Sequence, residues 1–197
     1  MIAVIDYGAG NLFSVQNALS FLGVEYMVTA DKTQIKAADK LILPGVGAFA
    51  KAVSALKERE LFDLIKDQAK EKYLLGICLG MQLLFEKSEE FGQTEGLGLI
   101  DGEVRKITPG GLPVPHMGWN RLERKNSCPV GQDADGKYVY FVHSYAACTA
   151  SENIVFDCDY GQRIPALVCK NNVFGAQFHP EKSGHEGLSI LKSFCML

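Results

Sequence analysis

The residue in this chain best suited to nucleophilic chemistry is Cys78, in the segment GICLGMQLLF at positions 76–85. An apolar run typical of a strand precedes it, and a helical pattern begins at Leu79, which predicts a strand-to-helix turn at the cysteine. Gly76 and Gly80 permit a tight, strained backbone there, as in a nucleophile elbow. A helix N-terminus stabilises a thiolate and an oxyanion. Although most cysteines are inert buried thiols, this setting predicts a nucleophile with the Leu79 amide as oxyanion donor.

A nucleophilic cysteine needs a general base, and usually a group that orients the base. The chain has four histidines, His116, His143, His179 and His185. Only His179 has a carboxylate two positions away, on Glu181, and alternate residues of an extended chain lie on the same side. Pro180 keeps His179 out of helical geometry. The segment predicts a base and its orienter on one strand, although a chance H-P-E at a strand end is an equally good interpretation of these residues alone.

Two other binding chemistries fit the sequence poorly. A metal site built from His179, Glu181 and His185 has no standard ligand spacing, so no metal is expected. GVGAFA at 45–50 formally matches the dinucleotide fingerprint, but the acidic residue expected at the end of the next strand is missing. The alternative is that residues 45–47, called here the glycine ribbon, offer backbone N–H groups to a carbonyl under attack. There is no G-K-[S/T] phosphate loop, and we expect no cofactor.

The elements that must position these groups fall into two halves. Strand patterns at 2–6, 24–29, 40–44 and 73–77 alternate with helical patterns at 12–22, about 48–70 and from 79 onward. This alternation predicts an α/β fold with a mostly parallel central sheet, helices on both faces and ligands beyond the carboxyl ends of the strands. From about residue 96 closely spaced strand patterns predict added antiparallel strands, with a hairpin at Asn171-Asn172 and a last helix at about 186–195. Residues 123–137 are predicted to form a surface loop.

Composition limits the function classes. With 197 residues, 47% of them hydrophobic, we expect one domain over residues 1–197. The net charge is −3, and basic and acidic residues are mixed along the chain. The sequence therefore has no basic cluster of the kind that binds nucleic acid. We find no signal peptide or membrane anchor and expect a cytoplasmic protein. Six cysteines without a C-x-x-C pair argue against zinc and against a disulfide framework.

Four segments in this order, LPGVGAF, GICLGMQ, FVHSY and AQFHPEKS, resemble the class I (triad) glutamine amidotransferase family, and the similarity spans nearly the whole chain. Two further segments, IDYGAGN at 5–11 and HMGWN at 116–120, resemble those of the branch of that family that serves histidine biosynthesis. The resemblance implies a flavodoxin-like fold with Cys78, His179 and Glu181 as a catalytic triad. It also implies glutamine-binding residues at Gly45, Gln82, Glu90, His143, Ser144 and Tyr145. The oxyanion donors that the residues themselves suggest are Leu79, at the helix N-terminus, and Val46 and Gly47 in the glycine ribbon. Whether Glu89 or Glu90 contacts the substrate stays open.

The activity that this resemblance implies is hydrolysis of glutamine through a cysteinyl thioester. The ammonia would pass to a (β/α)8 synthase (cyclase) subunit in a heterodimer, for use on a phosphoribosylated aminoimidazole carboxamide. Residues beside the motifs give a hypothetical interface of Asn11, Trp119, Tyr140 and Lys182. Three alternatives remain open: a glutaminase subunit of another synthase, such as that of pyridoxal phosphate, a stand-alone cysteine amidase or peptidase, and a non-enzymatic flavodoxin-like binding module.

Overall fold

The computed structural model describes residues 1–197, which form fourteen strands and six helices. The strands are Ile2–Ile5 (β1), Tyr26–Thr29 (β2), Lys40–Gly45 (β3), Tyr73–Cys78 (β4), Phe85–Ser88 (β5), Thr94–Glu95 (β6), Ile100–Lys106 (β7), His116–Arg121 (β8), Glu123–Arg124 (β9), Tyr138–His143 (β10), Tyr145–Cys148 (β11), Ile154–Asp159 (β12), Arg163–Lys170 (β13) and Val173–Ala176 (β14). The helices are Leu12–Phe21 (α1), Lys32–Ala37 (α2), Phe49–Glu58 (α3), Phe62–Gln68 (α4), Leu79–Gln82 (α5) and Gly184–Cys195 (α6), with 3₁₀ turns at Ser151–Asn153 and Pro180–Lys182.

The central sheet has eight strands in the order β2-β1-β3-β4-β14-β13-β12-β9. The first five are parallel, and β13, β12 and β9 continue the sheet in antiparallel pairing. Alternate residues of β1 pack into two different apolar clusters, Val4 into one and Ile5 into the other. Both faces of the sheet are therefore covered, which explains why its strands read as continuous apolar runs. The predicted fold class is confirmed.

Several local predictions were wrong. The helix predicted at about 48–70 is two helices, α3 and α4, because Glu60 adopts a left-handed conformation with φ 55° that ends the first of them. The short helix α2 was missed, although Asp31 caps it by accepting hydrogen bonds from the amides of Thr33 and Gln34 at 2.8 and 2.9 Å. The helix that begins at Leu79 has only one turn, and β5 follows it.

The rest of the second half forms two smaller sheets, β11-β7-β5-β6 and the two-stranded ribbon β10-β8. Residues 123–137 are not simply a surface loop: they include β9, and Cys128, Val130 and Ala134 are buried in the apolar core. The predicted hairpin between β13 and β14 is confirmed, with Asn171 at φ 54° in its turn. None of the six helices combines the length and the hydropathy needed to span a bilayer.

Candidate active site

Cys78 lies at the last position of β4, immediately before α5, in a strained conformation with φ 54° and ψ −110°. Its two flanking glycines are sterically required. A Cβ atom on Gly80 would lie 1.8 Å from the carbonyl oxygen of Leu43, and one on Gly76 would lie 2.5 Å from the carbonyl oxygen of Gly80. The backbone of the turn therefore packs directly on β3. This close packing holds a non-glycine residue in a conformation that costs about 1–3 kcal/mol elsewhere.

The sulfur of Cys78 takes part in two long hydrogen bonds. Its thiol donates to the carbonyl oxygen of Val142 over 3.9 Å, and the side-chain amide of Gln177 donates to the sulfur over 3.9 Å. Gln177 is fully buried and was not singled out from the sequence. The signal was available in AQFH, because Gln177 and His179 are alternate residues of an extended segment and share a side.

His179 and Glu181 are brought together as expected, but by a different backbone. β14 ends at Ala176, and Glu181 lies in the 3₁₀ turn at 180–182 rather than on a strand. The ring Nδ1 of His179 is 2.8 Å from Oε1 of Glu181, and both side chains are buried. The turn is closed by Ser183, whose hydroxyl donates to the His179 carbonyl over 2.6 Å. Proline starts the turn because its φ suits the first position of a helical segment.

The other ring nitrogen of His179, Nε2, is buried and has no hydrogen-bond partner. His179 and Cys78 line the same cavity. Burial alone would lower the pKa of His179, but its interactions with Cys78 and Glu181 outweigh that effect and raise the pKa to about 9. The imidazole can therefore hold a proton taken from the thiol and present it at Nε2.

A cavity of about 330 Å³ opens beside the cysteine. Its lining is Val46, Gly47, Cys78, Leu79, Gln82, Glu90, Pro115, Val142, His143, Ser144, Tyr145 and His179. Pro115 and Val142 were missed by the sequence prediction. Gly45 does not line the cavity, since it is buried at the end of β3 and pairs with Cys78. Glu181 lies behind His179.

Gln82 and His143 meet at one carbonyl oxygen in the cavity wall. The side-chain amide of Gln82 donates to the backbone carbonyl oxygen of Tyr145 at 2.9 Å and to the side-chain Oε1 of Gln177 at 3.0 Å. Both N–H groups of Gln82 are used, so its own Oε1 is the atom left for a ligand. His143 Nδ1 is also 2.9 Å from the Tyr145 carbonyl and must carry a hydrogen to bond it.

A buried hydrogen-bond chain extends from His143 away from the cavity. Its Nε2 is 3.0 Å from Nδ1 of His116, and Nε2 of His116 is 3.3 Å from the side-chain amide of Asn120. The oxygen of the Asn120 side chain accepts from the Arg121 amide, so its NH2 group faces His116 and donates to Nε2 of that ring. His116 therefore carries its hydrogen on Nδ1 and donates it to Nε2 of His143. Both rings are therefore neutral. Burial lowers the pKa of His116 to about 4, and burial with the nearby His116 lowers that of His143 to about 3.

This neutral pair should make the fold sensitive to acid. The folded-state pKa of His116 lies below the unfolded value of about 6.5, so stability is present above that pH and is lost as pH falls towards 4. Between about pH 7 and pH 5 we expect the unfolding free energy to fall by about 2 kcal/mol more in the wild type than in His116→Gln. Urea unfolding at both pH values measures this difference. His185→Gln, at an exposed position, is the matched control, and an equal fall in wild type and His116→Gln would contradict the prediction.

The structure separates the two adjacent glutamates. Glu90 lines the cavity, whereas Oε1 of Glu89 accepts a hydrogen bond from the Lys106 amide at 3.0 Å. Glu90 Oε2 accepts a hydrogen bond from the Phe49 amide at 2.6 Å. Of the two, Glu90 alone can meet a ligand in this cavity.

The glycine ribbon lines the cavity next to the α5 N-terminus, because Gly45 pairs with Cys78 where β3 and β4 end. Val46 and Gly47 are exposed at the cavity, and Gly47 has φ 96°. The N-terminal end of the ribbon, where β3 leads into it, is fixed by Tyr7, whose buried phenol donates to the carbonyl of Pro44 at 2.9 Å. Tyr7 was not predicted from the sequence. Burial and the nearby Cys78 raise the pKa of Tyr7 well above its usual value.

Of the four hypothetical interface residues, Tyr140 and Lys182 lie beside the general base, His179. Trp119 and Tyr140 are cross-strand partners on the β10-β8 ribbon with ring centroids 6.1 Å apart, and Trp119 is 57% exposed. The Tyr140 carbonyl accepts from the His179 amide at 2.9 Å, and Lys182 is exposed just beyond Glu181. Asn11 caps α1 through its side chain.

Chemically, the site places a thiol, an imidazole with one free buried nitrogen, a carboxylate behind it and an N-terminal helix amide at one cavity. These are the components of acyl transfer from an amide or ester through a thioester. The polar groups around the cavity, a glutamate carboxylate and side-chain and backbone carbonyls, are acceptors that suit a ligand with a cationic group.

Comparison with known proteins identifies the family and its near relatives. The family described as glutamine amidotransferase class-I matches residues 3–197. Proteins from Bacillus cereus and Bacillus cytotoxicus, both named imidazole glycerol phosphate synthase subunit HisH, are 53% and 51% identical over 196 residues. Each alignment covers 98% of this chain and 93% of the relative.

Solved structures agree in fold. A crystal structure of a glutamine amidotransferase superposes with a TM-score of 0.79 at 18% identity, covering 100% of this chain and 98% of that one. PurLQS from Thermotoga maritima superposes with a TM-score of 0.73 at 23% identity, covering 98% of this chain and 96% of that one. At these identities the likeness establishes the shared fold alone.

Proposed function

Because this chain belongs to the class-I glutamine amidotransferase family, we propose that it hydrolyses glutamine and is the glutaminase subunit of an imidazole glycerol phosphate synthase. The relatives with that name match almost the whole chain at about half identity. The observation that carries the proposal is the strained Cys78 at the end of β4, beside His179 with its free Nε2. A merely structural cysteine needs neither the strain nor an unpartnered buried imidazole nitrogen.

The proposed mechanism uses three side chains and one amide. His179 takes the thiol proton, and the Cys78 sulfur attacks the side-chain amide carbon of glutamine. The Leu79 N–H, at the start of α5, stabilises the oxyanion. Collapse of the intermediate forms the thioester, while His179 Nε2 gives its proton to the departing ammonia. The same imidazole then activates a water that releases glutamate. Glu181 accepts from Nδ1 and so holds the tautomer that leaves Nε2 free.

The substrate would lie in the cavity between α5 and the glycine ribbon. Glu90 would accept the α-ammonium group, and Gln82 would accept a hydrogen bond through its remaining Oε1. The backbone at 143–145 would supply further contacts. Val46 and Gly47 would provide the second oxyanion donor from the ribbon beside Leu79.

The proposal includes a partner and a compartment. Ammonia would pass to a (β/α)8 synthase (cyclase) subunit in a heterodimer, which makes imidazole glycerol phosphate and aminoimidazole carboxamide ribonucleotide. Asn11, Trp119, Tyr140 and Lys182 would contact that subunit. We further propose that residues 1–197 act as one amidotransferase domain in the cytoplasm, a reducing compartment that suits six free cysteines.

Ammonia release with and without candidate synthases tests this proposal. Glutamine should be hydrolysed fastest with the cyclase of imidazole glycerol phosphate synthesis. Other glutamine-dependent synthases should not raise the rate above that of the isolated chain. Turnover of peptides that lack glutamine would instead identify a stand-alone cysteine amidase or peptidase. Failure of Cys78 to react with a glutamine-analogue electrophile would favour a binding module.

The triad partners should differ in the size of their effect. His179→Ala should lower kcat for glutamine hydrolysis by about 10²-fold or more, because both proton transfers are lost. Glu181→Gln should cost less, because the imidazole stays in place and only its orienting carboxylate is changed. Steady-state ammonia release by the complex measures both. A Glu181→Gln variant as inactive as one without Cys78 would contradict the assigned role.

A further inference from the structure

The helix that follows the glycine ribbon lacks an ordinary cap. α3 begins after Ala48, which has no side-chain oxygen, and its first turn has no acidic residue. Helices usually satisfy their first amides with a Ser, Thr, Asp or Asn at this position. Here the external acceptor for the first helical amide, that of Phe49, is a carboxylate 41 residues away in the chain, on Glu90.

Glu90 is itself held in place by its own backbone. Its amide donates to the hydroxyl of Ser88 at 3.1 Å, and Ser88 is buried at the end of β5. The next residue, Phe91, turns away with φ 55° and is 88% exposed. The carboxylate therefore reaches the start of α3 from an anchored position.

The two oxygens of Glu90 have different surroundings. Oε2 accepts from the Phe49 amide, and no protein group bonds Oε1. The side chain also lines the cavity that contains Cys78. One carboxylate thus contacts a helix N-terminus with one oxygen and has the other available to a ligand.

We propose that Glu90 is a positioning residue as well as a substrate contact: Oε2 caps α3 and so fixes the glycine ribbon, while Oε1 binds the α-ammonium group of glutamine. This inference rests on the proposed function and adds a coupling to it. Ala48 follows the ribbon directly, so the cap on α3 fixes the C-terminal end of the ribbon. The Tyr7 hydrogen bond to Pro44 fixes its N-terminal end in the same way. Binding of the ammonium group restricts the carboxylate and stabilises the cap. The correct amino-acid substrate thereby steadies the wall that supplies the second oxyanion donor.

Two substitutions separate the cap from the charge. Glu90→Gln retains an oxygen that can accept from Phe49 but loses the negative charge, whereas Glu90→Ala loses both. In the full chain without ligand, hydrogen exchange at the Phe49 amide should be about fivefold faster in Glu90→Ala and close to wild type in Glu90→Gln. Glu89→Gln is the matched control, because Glu89 bonds Lys106 outside the cavity.

Kinetics of the complex with its synthase supply the second readout. Active sites are first counted by labelling Cys78 with a glutamine-analogue electrophile. Rates are then expressed per labelled site, so that a smaller folded fraction in a variant does not lower its kcat. Glu90→Gln should raise KM for glutamine by about tenfold or more while kcat stays within about threefold. Glu90→Ala should raise KM similarly and lower kcat by about a further tenfold, because the ribbon is misplaced.

The two readouts keep this inference separate from the proposed function. Wild-type Phe49 exchange in Glu90→Ala, or equal kcat in the two variants, would overturn the positioning role even if the protein is a glutaminase. If no form of the complex hydrolyses glutamine, the proposed function fails, and the exchange rates still decide whether Glu90 caps α3.

Discussion

Replacing Cys78 with alanine should abolish glutamine-dependent synthesis by the complex and leave synthesis from added ammonium salt intact. Without the sulfur no thioester can form, and removal of a nucleophile from a working triad costs about 10⁴-fold or more in kcat. The ammonia-using site belongs to the proposed synthase partner, so it does not need this cysteine. Both rates are measured on the same reconstituted complex, with glutamine or with ammonium as the nitrogen source.

A second cysteine provides the control for that experiment. Cys148 is exposed on β11, outside the cavity, and Cys148→Ala should retain both activities. Loss of both activities in Cys78→Ala, with the complex still assembled, would show that the two chains do not divide the chemistry in this way. Full glutamine-dependent activity in that variant would remove Cys78 from the mechanism.

The sequence predicted those parts of the site that depend on local backbone rules. Glycines at 76 and 80 indicated a sharp turn at Cys78, and the structure shows why only glycine fits there, since added Cβ atoms would overlap backbone carbonyls. The spacing of His179 and Glu181 indicated their pairing, although the turn that pairs them was mistaken for a strand. Alternating strand and helix patterns predicted the parallel half of the sheet, because strands buried on both faces and amphipathic helices have distinct periodicities.

The remaining features depend on contacts between distant segments. The position of Gln177 beside Cys78 follows from β14 pairing with β4, and the cap from Glu90 to Phe49 joins residues 41 positions apart. The alternation of Gln177 with His179 indicates a shared side, but no local pattern shows which distant segment Gln177 or Glu90 contacts. The division of α3 from α4 was hidden for another reason: the apolar period continues through Leu56, Leu61 and Ile65, while the left-handed Glu60 changes only the path of the backbone.

The isolated chain should be a poor glutaminase that the acceptor-loaded synthase stimulates by about 10²- to 10³-fold, the contribution of one oxyanion donor. Every hydrolytic group identified here lies in this chain, and ammonia released without an acceptor is wasted, so some element must withhold activity before docking.

The glycine ribbon is suited to that role. It lines the same cavity as Leu79, its ends are held by Tyr7 and Glu90, and its glycines allow a peptide plane between those anchors to rotate at little steric cost. The partner would favour the state with the N–H directed into the cavity, which requires contacts that differ between the two states.

Gly47→Val tests the ribbon without adding a steric clash. Gly47 has φ 96°, which a β-branched residue rarely adopts, yet a Cβ there would meet nothing within 4 Å. The substitution should therefore restrict rotation and reduce the stimulation by the synthase, while complex formation stays intact. Ammonia release with and without loaded synthase gives the ratio, and a binding titration checks assembly.

Gly23→Val is the matched control, because Gly23 also has a positive φ of 66° and open space but follows α1 outside the cavity. If the isolated wild-type chain hydrolyses glutamine as fast as the loaded complex, no switch exists, and residues 45–47 are only a tight turn between β3 and α3.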